Sequence, residues 1–530
     1  MPTAREELKP KPVTDHLRDL RGTIDFLKQE GDIIETDVEV DPDLEITGVQ
    51  KHLDGGCPIL FNNVKDKPNH RAITNLFADQ GIMCKMFGVN NMQEMTLAIA
   101  NAIRNPLPPV IVDSKDAPSH EEVIESGEKF ARATRILHRE TNPLNARRLV
   151  QANGDRQVVI NPPPLPLTEK TLDAIYALPY TRLPHPAYAD DAPIPAWQTI
   201  AESVQIMRGC FGGCTFCSIT LHQGRTIQSR SRESVLSEVK GLASRKDFKG
   251  HISDLGGPTA NMYRMRCSKP EVEAKCRRLS CVSPKVCKLL DTDHAPLVDL
   301  MKSSRKVPGI KKVHIASGIR MDLARNEPEY LEELVEHHVG GHLKVAPEHV
   351  SERVLAMMKK PPQNTFEEFA ERFDAASKRA GKDQFLVPYF IASHPGSGIV
   401  EMIELAQFLK SKGYRPRQVQ DFIPAPMDIA TCMYHTGIDP ETMKYVHVSK
   451  KSTHRGLQRA LLQFFKPENY DLVKQALLEV GRADLIGEGP DCLIPSKRPH
   501  VPKPSRGPGN KQDGKRGGYR WAAKRGSRES

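Results

Sequence analysis

The chain has 530 residues, which is enough for two or three domains that each bury a core. Its composition, 38% hydrophobic and 27% charged, is typical of a globular protein, and no run approaches the roughly 18 apolar residues of a membrane helix. The net charge of +10 is concentrated in the last 35 residues, which hold eleven lysines and arginines against two acidic residues. The start, MPTAREELKPKPVTDH, has no apolar stretch typical of a secretory signal, so a cytoplasmic location is expected.

Residues 1–128 are predicted to form a small α/β lobe. IIETDVEVD and CPILFNNV favour strands, and VNNMQEMTLAIANAIRN has helical spacing. Two proline-rich stretches follow, NPPPLPLTEK and YTRLPHPAYADDAPIPAW. Because proline fixes φ and removes a donor, residues 129–200 are predicted to be an extended connector.

Residues 201–430 alternate short strand-like runs with helical stretches. The runs are SVQIMRG, HISDLGG, KKVHIASG, GHLKVAP, QFLVPYFIAS and RQVQDFIPAP, and the helical stretches include PEYLEELVEHH, FEEFAERFDAASKRAG and IVEMIELAQFLKSKG. This alternation predicts an α/β fold with a parallel sheet that closes wholly or partly into a TIM-type barrel, with functional residues at the carboxyl ends of the strands. A C-terminal extension over 431–495 and a disordered basic tail over 496–530 are predicted to follow.

Three cysteines stand directly after the first strand-like run of this pattern. Cys210, Cys214 and Cys217 have the spacing C-x3-C-x2-C, and the glycines among them permit unusual dihedral angles. Three thiolates on one loop can bind three irons of a cubane cluster and leave the fourth iron open to S-adenosylmethionine, whose reductive cleavage gives a 5′-deoxyadenosyl radical. The alternative is a zinc site completed by His222, which this spacing does not favour because zinc sites usually use C-x2-C pairs.

Several motifs carry a resemblance to a known family. They are MRGCFGGCTFCSIT, SRSRESVL, SDLGGPTANMY, TDHAPL, IASGIRMDLA, LKVAPEHVSERVLAMMKKP, PYFIASHPG and IPAPMDIATCMYHTG. Together they resemble the YgiQ-like radical S-adenosylmethionine proteins, from about residue 129 to the end of GRADLIGEGP, which is about three quarters of the chain. The resemblance implies a partial (β/α) barrel that binds a [4Fe-4S] cluster on the three cysteines together with S-adenosylmethionine.

The same resemblance implies roles for individual residues, although it assigns no catalytic residue. Phe216 matches the aromatic residue commonly found before the last cysteine, and Gly256 with Gly257 matches the glycine element that receives the methionine amino group. The ribose or the carboxylate is expected to contact three residues that follow later strands, with a surface or ion-paired role as the alternative for each: Ser317, Arg320 and Glu348.

One stretch departs from the family. Two acidic residues usually flank the histidine after the cysteine motif, whereas this chain has Leu221-His222-Gln223. The loss of both carboxylates changes the charge near the cluster and bears on either activity or substrate.

Four further cysteines lie within 21 residues of a basic insertion, residues 264–290: Cys267, Cys276, Cys281 and Cys287. Their spacing, C-x8-C-x4-C-x5-C, is compatible with a second iron–sulfur cluster or a structural zinc, and spacing does not separate the two. The YgiQ-like family keeps this group too. Free thiols in a loop are the alternative here, and buried or incidental thiols are expected for the four isolated cysteines: Cys57, Cys84, Cys432 and Cys492.

The first part of the chain resembles a different family. Residues 17–128, with LRDLRGTIDFLKQEGDIIETDVEVDPDLEI and VIVDSKDAPSHEEVI, look like the N-terminal lobe of UbiD-family decarboxylases. In that family the prenylated-flavin site and the catalytic residues lie in the next domain, which is missing here. No decarboxylase residue is therefore transferred, and the chain resembles a fusion of two unrelated pieces.

The sequence thus predicts an enzyme that makes a 5′-deoxyadenosyl radical, acts on an unknown substrate and takes electrons from a donor such as a flavodoxin or ferredoxin. The alternative is a non-catalytic iron–sulfur or zinc protein that binds nucleic acid, and decarboxylation ranks last. The tail KPSRGPGNKQDGKRGGYRWAAKRG combines positive charge with aromatic residues, as RNA-binding segments do, although a solubilising tail has the same composition. No membrane partner is expected.

Overall fold

The structure is a computed structural model that describes residues 19–67, 70–97, 118–188, 192 and 194–499. The chain divides into two compact units, residues 1–109 and residues 110–530. The basic tail that was predicted to be disordered lies outside the described residues from position 500 onward. Within the described ranges, no helix combines the length and the apolar character needed to span a membrane.

The first unit contains a three-stranded sheet with helices. Strand β1 (Ile34–Thr36) runs parallel to β2 (Ile59–Phe61), and β3 (Ala72–Thr74) runs antiparallel to β2. The helices are Leu20–Glu30, Glu45–His52 and Gln80–Met86, and residues 92–97 are also helical. The two predicted strands are therefore present, and the rest of the predicted helix, from residue 98, lies outside the described residues.

The segment 129–200 is more structured than the extended connector that its prolines predict. It contains most of the helix Gly127–Arg139, a hairpin of β4 (Leu149–Asn153) and β5 (Arg156–Ile160), and the helices Glu169–Tyr176 and Pro195–Ile200. Asn153 pairs with Arg156, so the two turn residues are Gly154 and Asp155, and Gly154 has φ +57°, as the first central residue of a tight hairpin turn requires. Thr168 caps the next helix, because its side chain accepts a hydrogen bond from the N–H of Thr171.

Each of the six predicted strand runs of the barrel contains strand. The strands are β6 (Ser203–Gln205), β7 (Met207–Arg208), β8 (Gln228–Ser229), β9 (His251–Ile252), β10 (Asp254–Gly256), β11 (Lys312–Val313), β12 (His342–Glu348), β13 (Phe385–Ala392) and β14 (Gln420–Asp421). Parallel pairs join β6 to β10, β9 to β11, β12 to β13 and β13 to β14, and a parallel bridge joins Ile319 to Val345. Successive runs are thus neighbours, as in a partly closed barrel, and the predicted fold class is confirmed.

Helices lie between these strands, and all of them except Ile219–Gln223 and Pro270–Glu273 have buried residues. They are Ile219–Gln223, Arg232–Ala243, Pro270–Glu273, Ala295–Arg305, Met321–Ala324, Pro328–Glu333, Glu352–Met358, Gln363–Arg379 and Ile399–Ser411. In one of them Phe366, Phe369, Phe373 and Ala376 are buried at intervals of three and four residues, which places them on one stripe. These residues share a core with strand residues such as Val204, Leu255 and Leu343.

Three longer helices lie in the region after the barrel: Ile429–Thr436, Ser452–Leu462 and Tyr470–Glu479. A short antiparallel pair, β15 (Ile438–Asp439) and β16 (Lys444–Tyr445), lies between the first two. The helix Ile429–Thr436 packs against the helix Gly127–Arg139, so this region contacts the segment that precedes the barrel.

Candidate iron–sulfur and S-adenosylmethionine site

The loop of Cys210, Cys214 and Cys217 begins at the end of β7 and depends on two glycines. Gly209 has φ +85°, and a Cβ there would lie 3.0 Å from the Thr226 carbonyl carbon and closer still to its oxygen. Gly213 has φ +64°, and a Cβ there would meet the Leu279 carbonyl in the same way. Other residues would be strained and would clash with backbone at both positions, so this path of the loop requires glycine.

Backbone and hydroxyl contacts anchor the middle of the loop. The hydroxyl of Thr215 donates to the Met357 carbonyl oxygen at 2.7 Å. The backbone N–H of Thr215 donates to the Met358 carbonyl oxygen at 3.2 Å. The Thr215 carbonyl in turn accepts from the N–H of Ala430 at 2.8 Å. The cysteine loop is therefore attached to two helices that follow later strands, which positions it without any bound group.

The three thiols are close enough to influence one another electrostatically. Burial raises the pKa of Cys210, and Cys214 raises it further. Burial also raises the pKa of Cys217 to about 11, with Cys214 and Cys210 adding to the effect. Cys214 and Cys217 line one cavity together with Asp428.

Three clustered thiols on a loop that needs glycine fit an iron–sulfur cluster, because thiolates are the ligands that such clusters use. Among the described residues, no three histidine, cysteine or acidic side chains surround one point closely enough for a single metal ion. A cubane does not require that arrangement, since each thiolate binds a different iron.

Arg320 places a fixed positive charge beside the loop. The residue is 6% exposed, and Nη1 lies 3.8 Å from Cys214 Sγ. The guanidinium binds both carboxylate oxygens of Asp322, with Nε to Oδ1 at 2.9 Å and Nη2 to Oδ2 at 2.6 Å. Burial lowers the pKa of Arg320, but Asp322, Cys214 and Cys210 together raise it by more, so the group stays charged. Asn261 fixes the Arg320 backbone by accepting from its N–H at 2.7 Å and donating to its carbonyl at 3.0 Å.

Gly256 and Gly257 end strand β10 in a crowded place. A Cβ on Gly256 would overlap the Ser317 hydroxyl, and one on Gly257 would lie 2.9 Å from the Met207 carbonyl oxygen. Ser317 donates to Asp254 Oδ2 at 2.7 Å, which holds its hydroxyl over Gly256. The structure therefore brings Ser317 to the glycine pair, and a contact of either with S-adenosylmethionine stays a prediction.

Glu348 is a buried carboxyl at the end of β12. It is 7% exposed, and it has φ +69°, an uncommon conformation for a residue other than glycine. Burial raises its pKa, while Lys360, whose Nζ lies 3.8 Å from Oε1, and Arg320 act in the opposite direction. Strained buried carboxyls are common at binding sites, and a ribose or carboxylate contact of Glu348 stays a prediction.

The second group of cysteines shares a different cavity. All four thiols of the insertion line it, namely Cys267, Cys276, Cys281 and Cys287. Burial raises the pKa of Cys281, and Arg225 lowers it through charge and a hydrogen bond. The four isolated cysteines differ among themselves, since Cys84 and Cys432 are buried whereas Cys57 and Cys492 are half-buried.

The stretch Leu221-His222-Gln223, which departs from the family pattern, lies beside the loop of Cys210, Cys214 and Cys217. His222 is exposed and does not line the cavity of Cys214 and Cys217, which argues against the zinc alternative. Leu221 does line that cavity. Gln223 accepts a hydrogen bond from the Gly209 N–H at 3.2 Å through its side-chain oxygen. A glutamate could accept the same bond, so position 223 is compatible with either side chain.

Three polar residues of the site are not predicted from the sequence. Asn261 and Asp322 position Arg320, and Asp428 faces the cavity of Cys214 and Cys217. Burial raises the pKa of Asp428 to about 6, and within the described part of the chain its Oδ2 has no hydrogen-bond partner. All three lie in motifs that carry the family resemblance, but no spacing pattern singles them out.

Four family descriptions match the chain. They are the 3-octaprenyl-4-hydroxybenzoate carboxy-lyase N-terminal domain over 24–99, the radical SAM N-terminal domain over 73–203, the radical SAM superfamily over 204–409 and a domain of unknown function, DUF3362, over 417–529. The two resemblances predicted from the sequence are thereby confirmed.

Among curated relatives, a UPF0313 protein of Bradyrhizobium diazoefficiens is 52% identical over 389 residues, which are 72% of this chain and 58% of the relative. A UPF0313 protein of Vibrio cholerae is 50% identical over 414 residues, 77% of this chain and 52% of the relative. The chain thus spans about half the length of the curated relatives it matches.

Solved structures give more distant likenesses. The cobalamin-dependent S-adenosylmethionine radical enzyme OxsB has a TM-score of 0.33 at 11% identity, over 88% of this chain and 60% of that chain. The radical S-adenosylmethionine methyltransferase TsrM of Kitasatospora setae, with cobalamin and a [4Fe-4S] cluster bound, has a TM-score of 0.32 at 12% identity, over 59% and 55%. These likenesses are too low to bear on function.

Proposed function

We propose that this chain, which belongs to the radical SAM enzymes and is related to the UPF0313 proteins, binds a [4Fe-4S] cluster through Cys210, Cys214 and Cys217 and S-adenosylmethionine beside it. When bound, the cluster supplies the electron that splits S-adenosylmethionine into methionine and a 5′-deoxyadenosyl radical, which abstracts hydrogen from the substrate. The observation that carries the proposal is the anchored three-thiol loop with the Arg320 guanidinium 3.8 Å from Cys214 Sγ.

Arg320 stabilises negative charge on the thiolates, because an ion pair is stronger in a buried site than in water. Asp322 holds the guanidinium in one orientation through two hydrogen bonds, and Asn261 fixes the backbone that carries it. Arg320 is thus a positioning and charge-balancing residue that acts on the cysteine loop.

The carboxyl ends of β10 and β12 supply the groups that we assign to S-adenosylmethionine. We assign the backbone of Gly256 and Gly257 to the methionine ammonium group, and Ser317, which fills the space beside Gly256, offers a hydroxyl there. Glu348 offers carboxylate oxygens to the ribose hydroxyls.

Aromatic residues exclude water on one side of the cysteine loop. The Phe216 ring packs edge-on against His394 with 5.7 Å between ring centroids, and His394 packs against Phe422 at 5.4 Å. A packed aromatic surface that excludes water protects a reactive radical from side reactions. Reduced thiols are needed for this chemistry, which fits a role in the cytoplasm.

Cleavage of S-adenosylmethionine by anaerobically reconstituted, dithionite-reduced protein tests the proposal. Wild type and the control Cys57→Ser, which alters a cysteine of the first unit, should release 5′-deoxyadenosine. Cys214→Ala should reduce the release at least a hundredfold. Release that Cys214→Ala leaves unchanged, or a wild-type protein that contains zinc and no iron, would refute the function.

Binding of S-adenosylmethionine tests the assignment of Glu348. We expect Glu348→Gln to raise the dissociation constant about tenfold, equivalent to about 1.4 kcal/mol, in equilibrium dialysis of the cluster-loaded protein. The exposed Glu371→Gln on the helix Gln363–Arg379 is the matched control and should bind like wild type. Equal affinity of both variants would remove Glu348 from the binding site.

A further inference from the structure

The cysteines of residues 264–290, which we call the cysteine-rich insertion, face a cavity of their own. Besides the thiols Cys267, Cys276, Cys281 and Cys287, its walls contain apolar side chains, including Phe211, Met265 and Leu290, and the guanidinium-bearing Arg225. Thiols that are spread over 21 residues of sequence thus converge on one space lined by apolar groups and positive charge. That is the environment an anionic cluster with four thiolate ligands requires.

Hydrogen bonds from the preceding segment hold the insertion in this shape. Asn142, which is 5% exposed, donates from its amide to the carbonyl oxygens of Glu273 at 3.0 Å and Cys276 at 2.9 Å. The amide of Asn145 donates to Ala274 at 2.9 Å. The backbone around Cys276 is therefore fixed from outside, which presents its thiol to the cavity.

The insertion also touches the first cysteine loop directly. The N–H of Cys281 donates to the carbonyl oxygen of Phe211 at 3.0 Å, and Phe211 follows Cys210 in sequence. The buried Ser280 hydroxyl donates to the Gly212 carbonyl at 2.7 Å. Arg225 lines both cavities. Groups bound at the two sites would be separated by little more than these hydrogen-bonded backbones, a short path for an electron.

The outer surface of the insertion is basic. Between positions 264 and 288 it has eight lysines and arginines against two glutamates, and all eight are exposed: Arg264, Arg266, Lys269, Lys275, Arg277, Arg278, Lys285 and Lys288. The four thiols are half-buried beneath this surface. Positive charge around an electron entry point attracts an acidic partner and speeds its association.

We propose that the four cysteines hold a second iron–sulfur cluster that passes single electrons from an acidic donor, a reduced flavodoxin or ferredoxin, to the cluster on Cys210, Cys214 and Cys217. The donor loses one electron, the second cluster gains it and gives it up again, and the electron ends on the sulfonium of S-adenosylmethionine, whose carbon–sulfur bond breaks. The transfer to the first cluster and the transfer from it to the sulfonium rest on the proposed function, whereas the second cluster and its reduction by the donor do not.

Iron content of a variant that lacks the first site tests the cluster itself. The triple variant Cys210→Ala, Cys214→Ala, Cys217→Ala, purified anaerobically and reconstituted, should still hold about four irons and four sulfides per chain and give an electron paramagnetic resonance signal on reduction. Adding Cys276→Ser to it should remove the iron, and adding Cys492→Ser, as a matched control, should not. Zinc in place of iron, or no metal in a variant whose circular dichroism is that of wild type, would overturn the proposal.

The same triple variant separates this proposal from the proposed function, because it cannot cleave S-adenosylmethionine by design. Its reduction by flavodoxin hydroquinone is followed by stopped flow. We expect the rate to fall at least tenfold in Lys285→Glu with Lys288→Glu and to fall with salt. Reversing two exposed lysines outside the insertion, Lys240→Glu with Lys246→Glu, should change the rate less than twofold. Equal rates for both pairs, or a rate independent of salt, would overturn the electron-entry role.

Discussion

Gly213→Ala tests whether the cysteine loop depends on its contact with the cysteine-rich insertion. The substitution places a methyl group at φ +64°, which costs an L-residue about 1–2 kcal/mol, and drives it against the Leu279 carbonyl, 3.0 Å from the carbon. Relieving that overlap requires a backbone shift that we set at about 1–3 kcal/mol, the usual cost of overpacking. The free energy of unfolding should therefore fall by about 2–5 kcal/mol.

Gly381→Ala is the matched control for this prediction. Gly381 has the same φ of +64°, but nothing lies within 4 Å of the position a Cβ would take. Only the conformational cost of about 1–2 kcal/mol remains, and the iron content should match that of wild type. Urea unfolding followed by circular dichroism and an iron assay measure both quantities. Equal destabilisation and equal iron in the two variants would show that the cysteine loop does not depend on its contact with the Leu279 carbonyl.

Three further predictions concern the buried ion pair of Arg320 and Asp322, the buried His349, and Gln223 in the stretch that departs from the family pattern. Arg320→Met should cost about 3–5 kcal/mol in urea unfolding because it leaves the Asp322 carboxylate buried without its partner, and adding Asp322→Leu should restore most of that stability. Burial lowers the pKa of His349 to about 3, and its Nδ1 accepts from a backbone N–H, so below pH 6.5 the unfolded chain binds a proton that the folded protein excludes. This histidine should therefore remove about 2 kcal/mol of stability between pH 7 and pH 5, and His349→Asn should reduce the loss by that amount; a variant with the same pH dependence as wild type would contradict it. Gln223→Glu should keep wild-type iron content because it can still accept from the Gly209 N–H, whereas Gln223→Leu should lower it, and equal iron in both would show that this hydrogen bond is dispensable.

The sequence predicts the barrel and the cysteine loop well because both are local patterns. Strand runs, the C-x3-C-x2-C spacing and the glycines around Cys210 can each be recognised within about ten residues. The hairpin at Gly154 was predictable as well, since the Gly154-Asp155 pair between two apolar runs is a turn signal that the proline-rich surroundings obscured.

The polar contacts of the site could not be predicted because they join distant parts of the chain. Asn261 binds the backbone of Arg320, which is 59 residues away, only after the strands between them have assembled. Asp428 comes from beyond the barrel strands to the cavity of Cys214. The positive φ of Glu348 depends on the irregular register of β12 between Val345 and Glu348. No residue type in the sequence indicates that irregularity.

Electron paramagnetic resonance of the reduced protein, recorded before and after S-adenosylmethionine is added, tests whether Cys210, Cys214 and Cys217 hold a cluster that binds S-adenosylmethionine. To isolate the first site, the sample is the variant Cys276→Ser, compared with a sample that also carries Cys214→Ala. We expect a [4Fe-4S] signal in the first sample that shifts when S-adenosylmethionine binds, and no such signal in the second. A signal in the first sample that S-adenosylmethionine leaves unchanged, or one that survives the loss of Cys214, would contradict it.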